Sequence, residues 1–498
     1  MYVGVDCGTQ STKVVVVDIE RAAILGEASR PHHLTEGDNG KREQDVSEWI
    51  AALTEAFQEA VSAARIDAHE IRAIGVSGQQ HGMVALDADG QPLHPAKLWC
   101  DTETALHNET LIERLGGRQG CLDKLGLVLQ TGFTASKVAW LRDTHPDAYQ
   151  RISTLLLPHD YLNFWLTGER VAECGDASGT GYFDTRTRNW RHDVFQIMAP
   201  ELSPDAVLPR LIDSHAPVGT VRPEVARLLG LGDDVLVSSG GGDNMMAAIG
   251  TGNIAPGMVT LSLGTSGTVY AHSAASMEAE DAQVANFCAS HGGWLPLICT
   301  MNVTSATTKV RELFGFDLET FGERVARAPL GAEGVMALPF FNGERVPALP
   351  HATASFEGMT SLNTTADNLC RAVVEGTTFG LRYGFERLGE LASQASQVRL
   401  VGGGAKSAVW RQIVADVLDV DVICPRITEA AALGGAIQAA WCDTQTRGRG
   451  ESLAALTERL VEVDLDTLTR PRGEPVRRYQ ELYQRYRQAL AERYDVAP

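Results

Sequence analysis

Two stretches of this 498-residue chain follow one pattern, and a lone aspartate on a glycine turn lies between them. The first is Tyr2-Val-Gly-Val-Asp-Cys-Gly-Thr-Gln-Ser-Thr-Lys13, continuing as Val14-Val-Val-Val-Asp18. The second is Met258-Val-Thr-Leu-Ser-Leu-Gly-Thr-Ser-Gly-Thr-Val-Tyr270. Each reads as a strand, a tight Gly-Thr turn and a second strand, a hairpin whose tip can offer backbone N–H groups and hydroxyls to phosphate oxygens. Between them Ser239-Gly-Gly-Gly-Asp-Asn244 sets a carboxylate where backbone and substrate can approach closely. Two phosphate hairpins and one acid predict ATP-driven phosphoryl transfer across a cleft between two lobes.

The length is too great for one core. We place the division after residue 246. Residues 1–246 carry the first hairpin and the expected acceptor-binding loops; residues 247–498 carry the second hairpin, an expected nucleotide site and a C-terminal helix. The partial echo of the first hairpin in the second predicts an old duplication.

The first thirty residues read as strands over 2–6, 12–19 and 24–30. Asp45-Val-Ser-Glu48 then offers a reciprocal capping box ahead of Trp49, Leu53, Phe57 and Val61, an apolar stripe at helical spacing. Residues 72–77 read as a buried strand ending in the polar loop Gly78-Gln-Gln-His-Gly82. Helices and turns follow over 131–186, and a strand over 234–239 delivers the glycine turn. Residues 397–401 run as a strand into Gly402-Gly-Gly-Ala405, with a helix over 407–418, and Thr446-Arg-Gly-Arg-Gly450 reads as a surface loop. This order of strands and helices is that of an α/β protein with mostly parallel or mixed sheets.

The net charge of −20 argues against nucleic acid or an acidic membrane as partner, and means that a bound polyanion needs local cations, backbone dipoles or metal. The Arg-rich end is no exception. Tyr479, Tyr483, Tyr486 and Leu490 recur at helical spacing, which predicts a helix docked on the body. The cysteines form no Cys-x-x-Cys pair, against both a disulfide framework and a zinc site, so Cys7 and Cys100 read as packed thiols. No apolar run has the length of a membrane span, and a strand rather than a signal peptide opens the chain, so a cytoplasmic location is expected.

Asp6, beside the Gly8-Thr9 turn, suits Mg²⁺ next to ATP phosphates, since hard cations prefer carboxylate oxygen; its plainer alternative is to cap its own turn. Lys13 reads equally as a counter-charge for phosphate or as a surface lysine at a strand edge. Asp243 is the candidate general base for the acceptor hydroxyl, preferred over an Asx-turn residue because a helical run follows it at once. Gly264-Thr265 would cradle phosphates and Gly402-Gly-Gly404 the nucleotide. His81 would hydrogen-bond a sugar hydroxyl and Trp99 would wall a sugar face, each against a purely structural role. Other motifs fail on context. His69-Glu-Ile-Arg-Ala73 lacks a second zinc histidine, Gly250-Thr-Gly-Asn-Ile-Ala255 follows a helix rather than a strand, and no P-loop is present.

Together these segments resemble the FGGY family of carbohydrate kinases, from Tyr2 to about Trp441. The likeness rests on the hairpin pair, Gly132-Phe-Thr-Ala-Ser-Lys-Val-Ala-Trp-Leu141, Gly240-Gly-Gly-Asp-Asn244, Leu338-Pro-Phe-Phe-Asn-Gly-Glu-Arg-Val-Pro347 and Val401-Gly-Gly-Gly-Ala-Lys-Ser-Ala-Val-Trp-Arg-Gln412. The resemblance implies a two-lobed actin-like (ribonuclease H-like) ATPase fold, with duplicated domains around a central cleft. It also implies ATP and Mg²⁺ as cofactors and a possible homodimer. Asp243 would take the proton of the sugar hydroxyl, Gln80, His81 and Asn244 would contact the sugar, and Asp6 would organise the metal. Thr9, Gly264 and Thr265 would lie on the phosphates, with Gly403, Gly404 and Ser407 near the adenosine.

Within the family, Ser77-Gly-Gln-Gln-His-Gly82, Leu157-Pro-His-Asp-Tyr161 and the Asp243 turn look most like the members that phosphorylate D-xylulose. Those members commonly read Leu-Trp-Asn-Asp with an arginine two residues on. This chain has Leu98-Trp-Cys-Asp-Thr-Glu103, which predicts a reversed charge near the sugar loop. The alternatives are a kinase for ribulose, gluconate or glycerol, a nucleotide-switched binding protein on the same fold, and a sugar-sensing pseudokinase, which Asp6 and Asp243 argue against.

Overall fold

The computed structural model describes residues 1–277 and 283–496. Both hairpins form. Tyr2–Cys7 (β1) pairs antiparallel with Ser11–Asp18 (β2), setting Asp6 opposite Lys13. Ala23–Pro31 (β3) extends the sheet beyond β2, and Ala73–Gly78 (β4) runs parallel to β1 on its other side. Pro217–Thr220 (β5) and Leu236–Ser238 (β6) complete the order β3-β2-β1-β4-β6-β5. The consecutive valines 14–17 of β2 are all fully buried, as expected of a strand covered on both faces. Val46–Ala64 (α1) covers one of these faces with Trp49, Leu53 and Phe57. Asp45 caps it by accepting from the Ser47 N–H, but the reciprocal half of the expected box is missing: Glu48 accepts from the His33 N–H at 2.6 Å instead.

The second half repeats this plan. Met258–Ser262 (β7) and Gly267–Ala271 (β8) form the second hairpin; Ala285–Cys288 (β9) and Trp294–Thr300 (β10) flank it. Gln397–Val401 (β11), Asp421–Pro425 (β12) and Val463–Thr469 (β13) complete the order β9-β10-β8-β7-β11-β12-β13. From β3 to β5 the pairings run antiparallel, antiparallel, parallel, parallel, antiparallel. From β10 to β13 they run in the same sequence. The duplication seen in the sequence only at the hairpins thus extends through the sheet.

Helices Asp243–Gly250 (α4) and Ala430–Thr446 (α7) pack on each other, and α7 lies on β1 and β4 of the first sheet. Thr134–Thr144 (α2) and Pro158–Thr167 (α3) precede them in the chain. The approach of α7 is close enough to exclude any side chain at Gly4, where a Cβ would fall 1.7 Å from the Ala432 carbonyl oxygen. Glycine and alanine on both surfaces permit this contact. Farther on, Ala366–Arg387 (α5) and Ala408–Leu418 (α6) support the second sheet, and Gly473–Tyr494 (α8) docks as expected, with Tyr479, Tyr483, Tyr486 and Leu490 buried. No helix among the described residues is long and apolar enough to cross a membrane.

Candidate active site

The strand-end turn that carries Asp243 is built from backbone pairing. Gly241 and Gly242 align parallel to Ser77 and Gly78 at the end of β4, which sets Asp243 at the first residue of α4 beside the loop carrying Gln80 and His81. Gly240 makes the bend at φ +72°, where a Cβ would also lie 2.5 Å from the Val76 carbonyl oxygen. Only glycine fits both demands.

A cleft of about 630 Å³ opens here, and its lining includes Gln80, His81, Trp99, Asp243 and Asn244 from the first half. Gly264 and Thr265, at the tip of the second hairpin, face them. Asn244 joins the acid to the loop of Gln80 and His81: its Nδ2 donates to Gln80 Oε1 and to Asp243 Oδ1, both at 2.9 Å, and its N–H donates to Asp243 Oδ1 at 2.7 Å. Gln80 Nε2 is buried with no hydrogen-bond partner among the described residues, a donor free for a ligand.

Two carboxyl groups act on each other here: Asp243 lines the cleft, and Asp6, whose charge reaches Asp243, lies outside the lining. Asp6 sits at the end of β1 and accepts from Ser77 Oγ at 2.8 Å, and burial pushes its pKa up. Burial, then the charge of Asp6, then that of Asp176 push the Asp243 carboxyl up to about 7, against the hydrogen bonds from Asn244. Asp176 belongs to a buried group below, with His159 Nδ1 at 2.6 Å from Asp176 and His159 Nε2 at 3.0 Å from Asp160. Burial disfavours the His159 cation, but the two carboxylates outweigh it and hold the imidazole protonated. Asp6 and Asp243 together leave an excess of negative charge that an oxygen-seeking cation would relieve, so these residues fit a divalent metal.

His81 adopts φ +65°, and its ring packs on Phe133 with centroids 4.5 Å apart. Burial, then Lys137, then Arg345 lower its pKa to about 3, so it is a neutral hydrogen-bonding group. Lys137 is a residue that sequence reasoning left without a role. It is fully buried on α2, and its Nζ donates to the carbonyls of His81 at 3.0 Å and Phe133 at 3.2 Å, and to that of Gly132. Burial pulls it down to about 7. The signal was the lysine itself, inside a run whose other members are all core residues.

The remaining nominated residues stand apart from the cleft lining. Thr9 Oγ1 accepts from Trp99 Nε1 at 3.0 Å and donates to Gln79 Oε1 at 3.1 Å, tying the first hairpin to the sugar loop rather than presenting a free hydroxyl. Lys13 is paired with Glu429 at 2.5 Å. Gly404 donates its N–H to the Leu263 carbonyl at 3.0 Å, fixing the glycine turn behind the second hairpin; a side chain at Gly403 would meet nothing within 4 Å, so that face is open. Ser407 caps α6 by accepting from the Trp410 N–H.

The reversed charge expected at Glu103 does not reach the cleft. Buried Lys97 gathers Glu43, Asp101 and Glu103 at 3.0, 2.9 and 2.6 Å, and Asn39 donates to the other oxygen of Glu103. Glu103 turns toward this lysine and is absent from the cleft lining. The three carboxylates would make an acidic cluster, and the ammonium already occupies it.

The family model for the N-terminal domain of the FGGY family of carbohydrate kinases matches residues 1–250, and that for the C-terminal domain matches residues 259–442. The xylulose kinase of Haemophilus influenzae is 48% identical over 498 residues, covering 99% of this chain and 100% of that protein. The structure of a xyloylose kinase from Brucella ovis superposes with a TM-score of 0.90 at 29% identity, covering 99% of this chain and 98% of that one. Xylulose kinase from Bifidobacterium adolescentis superposes with a TM-score of 0.82 at 31% identity, covering 97% and 99%.

Proposed function

The chain belongs to the FGGY family of carbohydrate kinases, and we propose that it transfers the γ-phosphate of ATP to the 5-hydroxyl of D-xylulose, with Asp243 as general base. The observation that carries the base assignment is the placement of a carboxyl poised at about 7 opposite the Gly264-Thr265 tip. A base in that range is ionised often enough at neutral pH and still accepts a proton readily.

In this reading the sugar lies against Trp99, with Gln80 Nε2 and His81 as hydrogen-bond partners and Asn244 holding Asp243 in register. Asp243 accepts the hydroxyl proton as the sugar oxygen attacks phosphorus and the bond to the β-phosphate oxygen breaks. The N–H groups at the tip of the second hairpin meet the phosphate oxygens, and the open face at Gly403 admits the adenosine. A divalent cation, for which Mg²⁺ is the natural choice, would be held at Asp6 and would supply neutralisation of phosphate charge. Most of the acceleration then comes from positioning and electrostatics.

D-Xylulose is favoured over ribulose, gluconate or glycerol by the names of the relatives above and by the Glu103 side chain, which leaves no foreign charge in the pocket. ADP release from Mg-ATP with D-xylulose, D-ribulose, L-ribulose, glycerol and gluconate, beside a sugar-free control, tests this. D-Xylulose is expected to give the highest kcat/KM; a preference for another acceptor overturns the substrate and leaves the kinase.

A further inference from the structure

We propose that Arg345 is a catalytic residue of the transfer, a guanidinium carried by the second lobe that pairs with the phosphoryl group while it moves to the sugar. The proposal rests on the phosphoryl-transfer reading of the cleft.

A chain of net charge −20 must find cations for a triphosphate, and most of the candidates near this cleft are committed elsewhere. Lys13 is paired with Glu429, Lys97 with three carboxylates, and Lys137 with backbone carbonyls. Arg118 and Arg345 both line the cleft and form no ion pair among the described residues, but Arg118 is exposed, whereas Arg345 is partly buried on the loop behind Gly264 and Thr265. Among the described residues the Arg345 guanidinium makes one hydrogen bond, a long one to Cys299 Sγ at 3.7 Å. A partly buried cation with no carboxylate partner is costly unless a ligand anion completes it. The flat fork of arginine matches phosphate oxygens two at a time.

The loop that carries Arg345 is fixed to the phosphate hairpin. Buried Glu344 accepts from the Arg345 N–H at 2.8 Å and from the Met301 N–H at 2.7 Å, and its second oxygen accepts from Asn302 Nδ2 at 3.1 Å. Asn302 also donates to the Gly343 carbonyl at 2.6 Å. Two residues on, Thr304 donates from both N and Oγ1 to the Gly264 carbonyl at 2.9 Å. Arg345 and the hairpin tip are therefore one rigid unit. Any motion that brings the tip onto the γ-phosphate carries the guanidinium with it. The charge also reaches the sugar loop, since it helps to hold His81 neutral.

In the transfer the γ-phosphorus bond to the bridging oxygen breaks, a bond to the sugar oxygen forms, and the hydroxyl proton passes to Asp243. Charge on the three peripheral oxygens is then spread between two partners, and Arg345 meets it there. The test is steady-state kinetics of Arg345→Gln and Arg345→Ala, with Mg-ATP binding and melting temperature measured alongside. We expect kcat to fall about 10²–10³-fold with Mg-ATP affinity and melting temperature near wild type. Added guanidinium should restore part of the turnover of Arg345→Ala. Unchanged kcat, or a raised KM for sugar with kcat intact, overturns the proposal. Should either variant unfold, Arg345→Lys is read by the same split. Absence of sugar-dependent ADP release in the wild-type enzyme would instead remove the kinase reading itself.

Discussion

Gln438, on the helix that joins the two halves, grips both ends of the Gly240 residue: its Oε1 accepts from the Gly240 N–H at 2.8 Å, and its Nε2 donates to the Gly240 carbonyl at 3.1 Å. The same carboxamide accepts from Ser238 Oγ at 2.9 Å and donates to the Ser290 carbonyl at 3.1 Å, so every donor and its acceptor oxygen are used in a fully buried site. Gly240 opens the turn that ends at Asp243. The position of the base thus depends on a helix contributed by the second half of the chain.

Gln438→Leu keeps the volume and removes all four bonds. The buried Gly240 N–H loses its partner, at a cost of about 1–3 kcal/mol, and the Gly240 carbonyl keeps only the 3.3 Å bond from Ser239 Oγ. We expect a lower melting temperature and a kcat reduced about 10–100-fold at permissive temperature, with Mg-ATP affinity little changed. Steady-state kinetics and calorimetry of the variant check this; a loss of stability with wild-type kcat would leave Gln438 a packing residue only.

The Asp243 carboxyl predicts the acid limb of the rate profile. Its pKa in the folded protein is raised to about 7, and the base works only when ionised. kcat/KM for the sugar should therefore fall about tenfold per pH unit below that value. A profile flat down to about pH 5 would show that no base of this kind is required.

The same shift has a stability consequence of opposite sign. A carboxyl whose folded-state pKa is raised binds its proton more tightly in the native state, so its stabilising share is present at low pH and is lost as pH rises through the folded value. Asp243→Asn should raise the melting temperature of the ligand-free protein at about pH 8 and do little at about pH 4. Thermal unfolding at the two pH values decides it, and the same increment at both would mean that the charge of Asp243 is not the cause.

Glu103→Arg converts the loop toward the arginine common in the D-xylulose-phosphorylating members. Because Glu103 faces Lys97 and not the sugar, we expect the acceptor preference to stay as it is while stability falls by about 1–3 kcal/mol. A changed order in the sugar panel would return Glu103 to the pocket.

How far the sequence leads differs from residue to residue. The two hairpins are legible because short apolar runs around a Gly-Thr turn are local signals, and the Asp243 turn because strand, glycines and helix follow in order. Gln438 is illegible: it sits in an alanine-rich helix, and nothing near it marks a partner 198 residues away. Glu103 misleads for a different reason: Lys97 is about as near in sequence as Trp99, and nothing in the letters says that the side chain turns to the lysine and away from the cleft. Thr9 looks like a phosphate ligand from its turn and Lys13 reads equally as one or as a surface lysine; their side chains are engaged by Trp99 and by Glu429, contacts made only when the distant segments fold together. The shared order of strand pairings in the two sheets is likewise a property of long-range pairing, and only its hairpin core is written in recurring residues.

The base assignment is tested most directly by the single-turnover rate of Asp243→Ala with D-xylulose and Mg-ATP, measured beside equilibrium binding of both ligands. The expected rate is lower by about 10²–10⁴-fold with both ligands still bound. A rate close to that of the unaltered enzyme would contradict it.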